Sequence, residues 1–448
     1  MAKKPKQFSR PGPHPAASTG PVHVLILGSG GREHALGWKL KQSKRCGKIY
    51  FGPGNGGTRQ VGTNVPLDPL PVTTKNVDEI DRFCRQNDIG LIVIGPEDPL
   101  CAGLADRLAG PGRHVFGPVA EAAKLEGDKA YAKELMKAAS IPTADSRTFT
   151  NYEMAESYVK ARETPVVVKA AGLAKGKGAI VTSTPDEAVA ALRRCMIDKE
   201  FGDEGTTVVV EERLVGQEVS ILALVDGRNL FLLDPSQDHK QAGEGDTGPN
   251  TGGMGVYCPT PLVDDKLIST IQREVLVPAV DAMKRGEIDF KGVLYAGLML
   301  TAGGPKTLEF NTRFGDPETQ PLMMRMRGDL LEAMIATCEG RLDGANLSWD
   351  PRVCCAVVMA SGGYPGSYES GKVITGIDDA ESDPDVQVFH AGTAFNKENQ
   401  LVTSGGRVLA VCALADTLKE AQAKANAACA KIQFEGAWFR RDIGSRVM

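Results

Sequence analysis

Residues 308–320 (LEFNTRFGDPETQ) hold the densest set of side chains able to do chemistry. Glu309 and Asn311 are two apart, so on a strand they share a face while Phe310 turns to the core. A carboxylate beside an amide oxygen offers hard ligands for Mg²⁺ or Mn²⁺, which nucleotide sites complete with phosphate oxygens. Arg313 continues that face, and its planar fork suits a carboxylate or a phosphate. Taken alone, an amphipathic strand with a wetted polar face explains the pattern equally well. The rest of the chain shifts the balance.

Lys169 lies inside the apolar run PVVVKA and needs an anionic partner there. The loop that follows, AGLAKGKG, carries Lys175, Gly176, Lys177 and Gly178, and reads as a basic flap over phosphates. Residues 206–212 (TTVVVEE) run into Arg213, Leu214 and Glu218. Such a strand-to-linker segment can offer backbone groups to an adenine edge, and Glu218 can accept ribose hydroxyls. Glu97, in GPEDPL, is placed for a sugar hydroxyl or an amine, although a solvated loop carboxylate fits it too. Residues 234–255 (DPSQDHKQAGEGDTGPNTGGMG) read as one long polar loop, and a loop of that length in a compact domain is usually functional or disordered. It contains Asp238, His239, a base or an orienting donor, and Lys240.

These side chains require particular elements. Apolar runs at residues 22–28, 49–51, 89–94 and 114–116 each end in a glycine-rich turn, with helical patterns between them. That order predicts a doubly wound parallel sheet with ligands at the carboxyl ends of its strands. The first turn, Gly28-Ser29-Gly30-Gly31-Arg32, opens a helix over 33–44 but lacks GxGxxG spacing. It therefore favours a monophosphate over a dinucleotide. One helix is predicted over 120–139, carrying Lys129, and others over 150–163, 264–285 and 317–337. Strands are predicted over 165–170, 179–182, 206–212, 219–225, 293–301 and 307–312. From about residue 348 a compact β-rich domain follows.

Bulk properties narrow the class. A chain of 448 residues, 42% hydrophobic and 24% charged, has room for two to four domains. A net charge of −4 gives no pull toward nucleic acid or membrane, and no apolar run approaches the ~20 residues that span a bilayer. Ten cysteines without CxxC or metal spacing read as reduced thiols of a cytoplasmic protein. Residues 1–20, basic and rich in Pro and Ser, read as a disordered arm without a secretory h-region.

The motifs GSGGREHALGWKL, PGNGGT, GPEDPL, VVVKAAGLAKGKG, QDHKQAGEGDTGPNTGGMG and LEFNTRFGDPETQP, in this order, resemble the glycinamide ribonucleotide synthetase (phosphoribosylamine–glycine ligase) family over residues 21–445. The resemblance implies an α/β and α+β multidomain ATP-grasp architecture. A Rossmann-like preATP-grasp domain would span 21–122, and a two-domain ATP-grasp core 123–345, with its lid at 145–210. A β-rich C-terminal domain, similar to a rudiment single hybrid fold, would span 346–448. It implies ATP as co-substrate, with Lys129, Lys169, Lys175, Gly176, Gly178, Glu211, Leu214 and Glu218 at the nucleotide. It further implies Mg²⁺ or Mn²⁺ on Glu309 and Asn311. Gly30, Gly31, Pro96, Glu97, Asp238 and Lys240 would hold phosphoribosylamine, and Arg313 a substrate anion. Lys169, Asp238, Lys240 and Arg313 would form the catalytic set. Arg213 stands where the family often has an aromatic, which weakens adenine stacking; Thr312, where Val is commoner, is a mild departure.

The implied reaction joins glycine to 5-phosphoribosylamine through glycyl phosphate, in purine synthesis, by a monomer making transient contacts with neighbouring pathway enzymes. Three rival readings compete with it. Another ATP-grasp ligase would not need the 237–255 loop, a nicotinamide oxidoreductase would need GxGxxG, and a scaffold would not need Lys169, Glu309, Asn311 and Arg313 intact.

Overall fold

The computed structural model describes residues 20–174 and 178–448. The arm expected over the first 20 residues, Gly20 apart, and Lys175, Gly176 and Lys177 of the basic loop lie outside the described residues.

The first apolar run becomes the middle strand of a five-stranded parallel sheet. The spatial order is Thr63–Asn64, Cys46–Pro53, Val22–Gly28, Ile89–Ile94, His114–Phe116. Val22–Gly28 has neighbours on both sides, and Val24, Leu25, Ile26 and Leu27 are fully buried, as a strand covered by helices on both faces must be. The chain diverges at its carboxyl end, so the Gly28 turn opens at the topological switch point. Gly28 has φ +131, and a Cβ there would meet the Glu33 side chain at 2.7 Å, so this turn tolerates no side chain. Helix Gly31–Leu40 follows.

The helix expected over 120–139 is two, Ala120–Gly127 and Lys129–Ala138. Asp128 breaks it: its backbone is extended and its carboxylate accepts the Ala130 and Tyr131 N–H groups. A cap that satisfies two orphan donors outcompetes helix continuation. The break starts a new axis and puts Lys129 at its first turn.

Two antiparallel sheets follow. Ser146–Phe149, Val208–Glu212, Val166–Ala170 and Ala179–Val181 form one, with helices Tyr152–Lys160 and Pro185–Met196 packed against it over a core that includes Phe149, Val168, Leu192 and Val210. Leu230–Leu232, Gln217–Asp226, Lys291–Thr301 and Gly304–Asn311 form the other. Residues 265–285 are helical throughout, with a π turn at Gln272–Leu276.

The long polar loop expected over 234–255 holds three short strands and the start of a fourth. Gln237–Asp238 is the edge strand and Gly255–Cys258 its inner neighbour in a five-stranded sheet completed by Val353–Ala360, Arg407–Ala415 and Val386–His390. Between them Gln241–Gly243 and Thr247–Asn250 pair as a hairpin. Polar, glycine-rich residues gave no strand signal because these strands form by completing an edge rather than by burying a stripe. The late β-rich region therefore shares its sheet with the segment carrying Asp238. All ten cysteines are free. Among the described residues no helix is long and apolar enough to cross a membrane.

Candidate active site

A cleft of about 1500 Å³ lies where the parallel sheet, the two antiparallel sheets and the late β-rich region meet. Its wall includes Glu309 and Asn311, which the Gly304–Asn311 strand presents together, while Phe310 is 2% exposed on the opposite face. Burial pushes the Glu309 carboxyl up, but Lys240, Lys169, Lys129 and Arg313 outweigh it and hold the carboxyl below its usual range. Glu309 makes no ion pair with any of them. Among the described residues Asn311 Oδ1 accepts only a long 3.4 Å hydrogen bond from Arg313.

This pair fits a divalent cation. It offers one ionised carboxylate and one amide oxygen from a single strand face. No cluster of three or more His, Cys, Asp or Glu able to hold a metal occurs among the described residues, so other ligands must come from elsewhere. The surrounding lysines would repel a bare cation and attract a polyphosphate, which supplies those oxygens.

The lysines reach the cleft from separate elements. Lys169, from Val166–Ala170, donates to Leu308 O at 3.1 Å and lies 3.0 Å from Glu211 Oε2. Lys133 meets the other oxygen of Glu211 at 3.1 Å and Thr143 Oγ1 at 2.7 Å. Glu211, 2% exposed, thus ties the sheet carrying Lys169 to helix Lys129–Ala138. Lys129 donates to Gly172 O at 2.8 Å. Burial lowers the pKa of both Lys129 and Lys133. Lys133 was missed in the sequence, although its spacing of four from Lys129 places it on the same helix face. Leu214, Glu218 and Gly178 also line the cleft, as does Arg213, which donates to Ser183 Oγ at 3.2 Å.

On the opposite wall Lys240 lies 3.1 Å from Glu218, and that carboxylate is the main cause holding its pKa well above normal. Burial, then Glu318, raises Asp238 well above the usual carboxylate range. Glu318, 3% exposed, receives Tyr295 Oη at 2.6 Å and Ser220 Oγ at 3.3 Å. Arg313 spans two acids, with Nε 3.2 Å from Glu97 and Nη2 2.8 Å from Glu126. Burial works against the charge of Arg313, but Glu126 and Glu97 raise its pKa further. Glu126 also accepts the Thr312 N–H at 2.7 Å. Glu126 and Glu318 escaped sequence reasoning, because only folding brings them to these partners.

Pro96 and Glu97 line the cleft; Gly30 and Gly31, in the turn after Val22–Gly28, are not among its lining residues. The Gly30 N–H donates to Glu33 Oε2 at 2.6 Å, and a Cβ on Gly31 would come within 2.6 Å of Gln320 Nε2. Arg32, next in line, does reach the cleft and donates to Phe314 O at 3.0 Å. Asp238, Lys240, Arg313, Glu309 and Asn311, distant in sequence, are brought to one cleft.

A parallel-sheet domain followed by two antiparallel sheets that enclose a lysine-lined, carboxylate-bearing cleft defines an ATP-grasp ligase, a class that uses ATP with a divalent metal. Family models for phosphoribosylglycinamide synthetase match three stretches: the N domain at 22–126, the ATP-grasp (A) domain at 127–319 and the C domain at 354–446. A phosphoribosylamine–glycine ligase of Rhodopirellula baltica is 50% identical over 433 residues, covering 95% of this chain and 98% of that protein. One from Yersinia pestis is 46% identical, covering 95% and 99%. The crystal structure of the Thermotoga maritima phosphoribosylamine–glycine ligase superposes with a TM-score of 0.79 at 34% identity, covering 94% of this chain and 100% of that one. A biotin carboxylase of Campylobacter jejuni, at 16% identity and a TM-score of 0.70, shares the fold. The chain belongs to the phosphoribosylglycinamide synthetase family.

Proposed function

We propose that this protein joins glycine to 5-phosphoribosylamine with ATP, giving glycinamide ribonucleotide, ADP and phosphate in purine biosynthesis. The observation carrying this reading is a near-full-length match to phosphoribosylamine–glycine ligases in a chain whose cleft gathers Lys169, Lys240, Glu309, Asn311 and Arg313.

A glycine carboxylate oxygen attacks the γ-phosphorus of ATP, and ADP leaves. The amine of phosphoribosylamine then attacks the carbonyl carbon of glycyl phosphate. The amide C–N bond forms, the C–O bond to phosphate breaks, and one N–H proton departs. Phosphoryl transfer is mostly positioning and charge neutralisation, which a cleft rich in fixed cations provides. Lys169 and Lys129 bind the phosphates, and Lys175, Gly176 and Gly178 are proposed to bind the nucleotide with them. Glu211 keeps Lys169 in place, the linker at Leu214 faces adenine, and Glu218 the ribose. Glu309 and Asn311 would hold Mg²⁺ or Mn²⁺, which when bound neutralises phosphate charge. Arg313 holds the glycine carboxylate or the transferred phosphate. Gly30, Gly31, Pro96, Glu97, Asp238 and Lys240 hold phosphoribosylamine. Closure of the cleft excludes water from the acyl phosphate.

ADP release by the purified protein tests this, with ATP, Mg²⁺ and glycine, with and without phosphoribosylamine generated in place. Sustained release that requires both substrates is expected; release with another acid or amine instead would reassign the substrates. The protein is further proposed to act in the cytoplasm as a monomer, which light scattering at working concentration checks. Its contacts with neighbouring pathway enzymes are proposed to be transient.

A further inference from the structure

The hairpin that follows Lys240 is poorly supplied with a core of its own: Thr247–Asn250 is exposed throughout. Its anchors come from one distant stretch, residues 440–446. Arg440, 1% exposed, donates to Gln241 O at 2.9 Å and to Asp246 Oδ1 at 3.1 Å. The Gly245 N–H donates to Asp442 at 2.8 Å, and the Arg441 N–H to Glu244 at 3.0 Å. The fork of Arg446 closes on both oxygens of Asp246, with Nε 2.6 Å from Oδ2. Its Nη1 reaches back to the Asp238 carbonyl at 3.3 Å. Arg446 itself lines the cleft.

His239, between Asp238 and Lys240, is fully buried, and its Nε2 accepts the Gly444 N–H at 3.0 Å. An accepting Nε2 requires the neutral ring, and burial first, then Arg446 and Arg440, push its pKa down to about 3. In this loop Arg407 and Tyr364 meet residues 252 and 253, beyond the hairpin, and Arg407 ties them to Asp316. The two residues flanking His239 are those that face the substrates, so slack in the hairpin reaches both.

We propose that residues 440–446 strap the loop carrying Asp238 and Lys240 into its working position, with Arg446 as the positioning residue acting through Asp246 and the Asp238 carbonyl. This rests on the ligase reading: the strap would set the fit of phosphoribosylamine and keep water from glycyl phosphate. A bidentate guanidinium–carboxylate pair fixes direction as well as distance, which a lysine cannot do.

The test uses the full chain with Asp246→Asn and, as a milder variant, Arg446→Lys. Amide hydrogen exchange over residues 239–250 reads the strap without turnover, and about a tenfold acceleration is expected from loss of a charge-assisted hydrogen bond. In the assay, KM for phosphoribosylamine should rise about tenfold with kcat falling less, as expected when a positioned binding group loosens. ADP should also exceed amide product as glycyl phosphate leaks to water. Unchanged exchange would overturn the strap. Faster exchange with KM unmoved and one ADP per amide would overturn its catalytic purpose. Should the parent protein form no amide, the ligase reading fails, while the exchange data still judge the strap.

Discussion

Glu309 is a carboxylate among four cations and paired with none of them. Removing it should leave the fold standing, because no ion pair of Glu309 ties one element to another among the described residues. Glu309→Ala is therefore expected to cut turnover by about a hundredfold or more while circular dichroism stays unchanged, the usual consequence of losing a metal-directed ligand. Full activity at saturating Mg²⁺ would remove Glu309 from the metal. Lys169 differs, being one of two ammonium groups neutralising the buried Glu211. Lys169→Ala should raise KM for ATP by roughly tenfold or more through the lost phosphate contact. It should also lower stability by about 3 kcal/mol, because a buried carboxylate loses half its compensation. Altered ATP kinetics without a fall in denaturation midpoint would show that Lys133 alone suffices for Glu211.

At the scale of elements, the cleft depends on where helices begin. Asp128 starts the Lys129–Ala138 helix by accepting two N–H groups, and Lys129 and Lys133 project from its first two turns. Asp128→Ala should cost about 1 kcal/mol as a lost N-cap. It should also raise KM for ATP, since the axis that aims both lysines loosens. Asp128→Asn, which keeps the acceptor, should restore both, and a KM unmoved in the alanine variant would free the lysines from the cap. The Gly304–Asn311 strand is less vulnerable: it pairs with Lys291–Thr301 along nearly its whole length, so the facing of Glu309 and Asn311 is fixed by the ladder.

Across the whole molecule, three buried histidines make stability depend on pH. Burial lowers His34 well below normal, His390 to about 4 and His239 to about 3. Their folded pKa values lie below the unfolded value near 6.5, so the unfolded chain takes up protons first as pH falls. Stability should decline from about pH 6.5 downward, by about 1.4 kcal/mol for each histidine at pH 5.5, until the folded forms titrate. Asp238, whose raised pKa acts in the opposite direction, is common to the parent chain and a His390→Gln variant, so the difference between their urea-midpoint shifts from pH 7.5 to 5.5 measures this; equal shifts would mean that the His390 ring is not held neutral. Two of the three join distant parts: His34 Nδ1 accepts the His390 N–H at 2.9 Å, and His239 meets Gly444. Acid should thus loosen contacts between regions before it melts any one sheet.

Local physics alone determined much of this protein. Val22–Gly28, Ile89–Ile94 and His114–Phe116 were legible to the residue, because short apolar runs closed by glycine have little choice but buried parallel strands. The shared face of Glu309 and Asn311 follows from the period of a strand, and the need of Lys169 for an anion from its apolar neighbours. What the tertiary structure decided was pairing at a distance. The strand at Gly255–Cys258 exists because Val353–Ala360 offers it an edge, and Gln237–Asp238 because Gly255–Cys258 offers the next one; no stripe in residues 234–255 announces either. The split at Asp128 is a contest between cap and helix that propensity leaves even. Which acid meets which base, Glu211 with Lys133 and Lys169, Arg313 with Glu126 and Glu97, Arg446 with Asp246, depends on separations that only the folded chain closes. A buried charge demands a partner but does not name it, since Coulomb attraction depends on distance in space and not along the sequence.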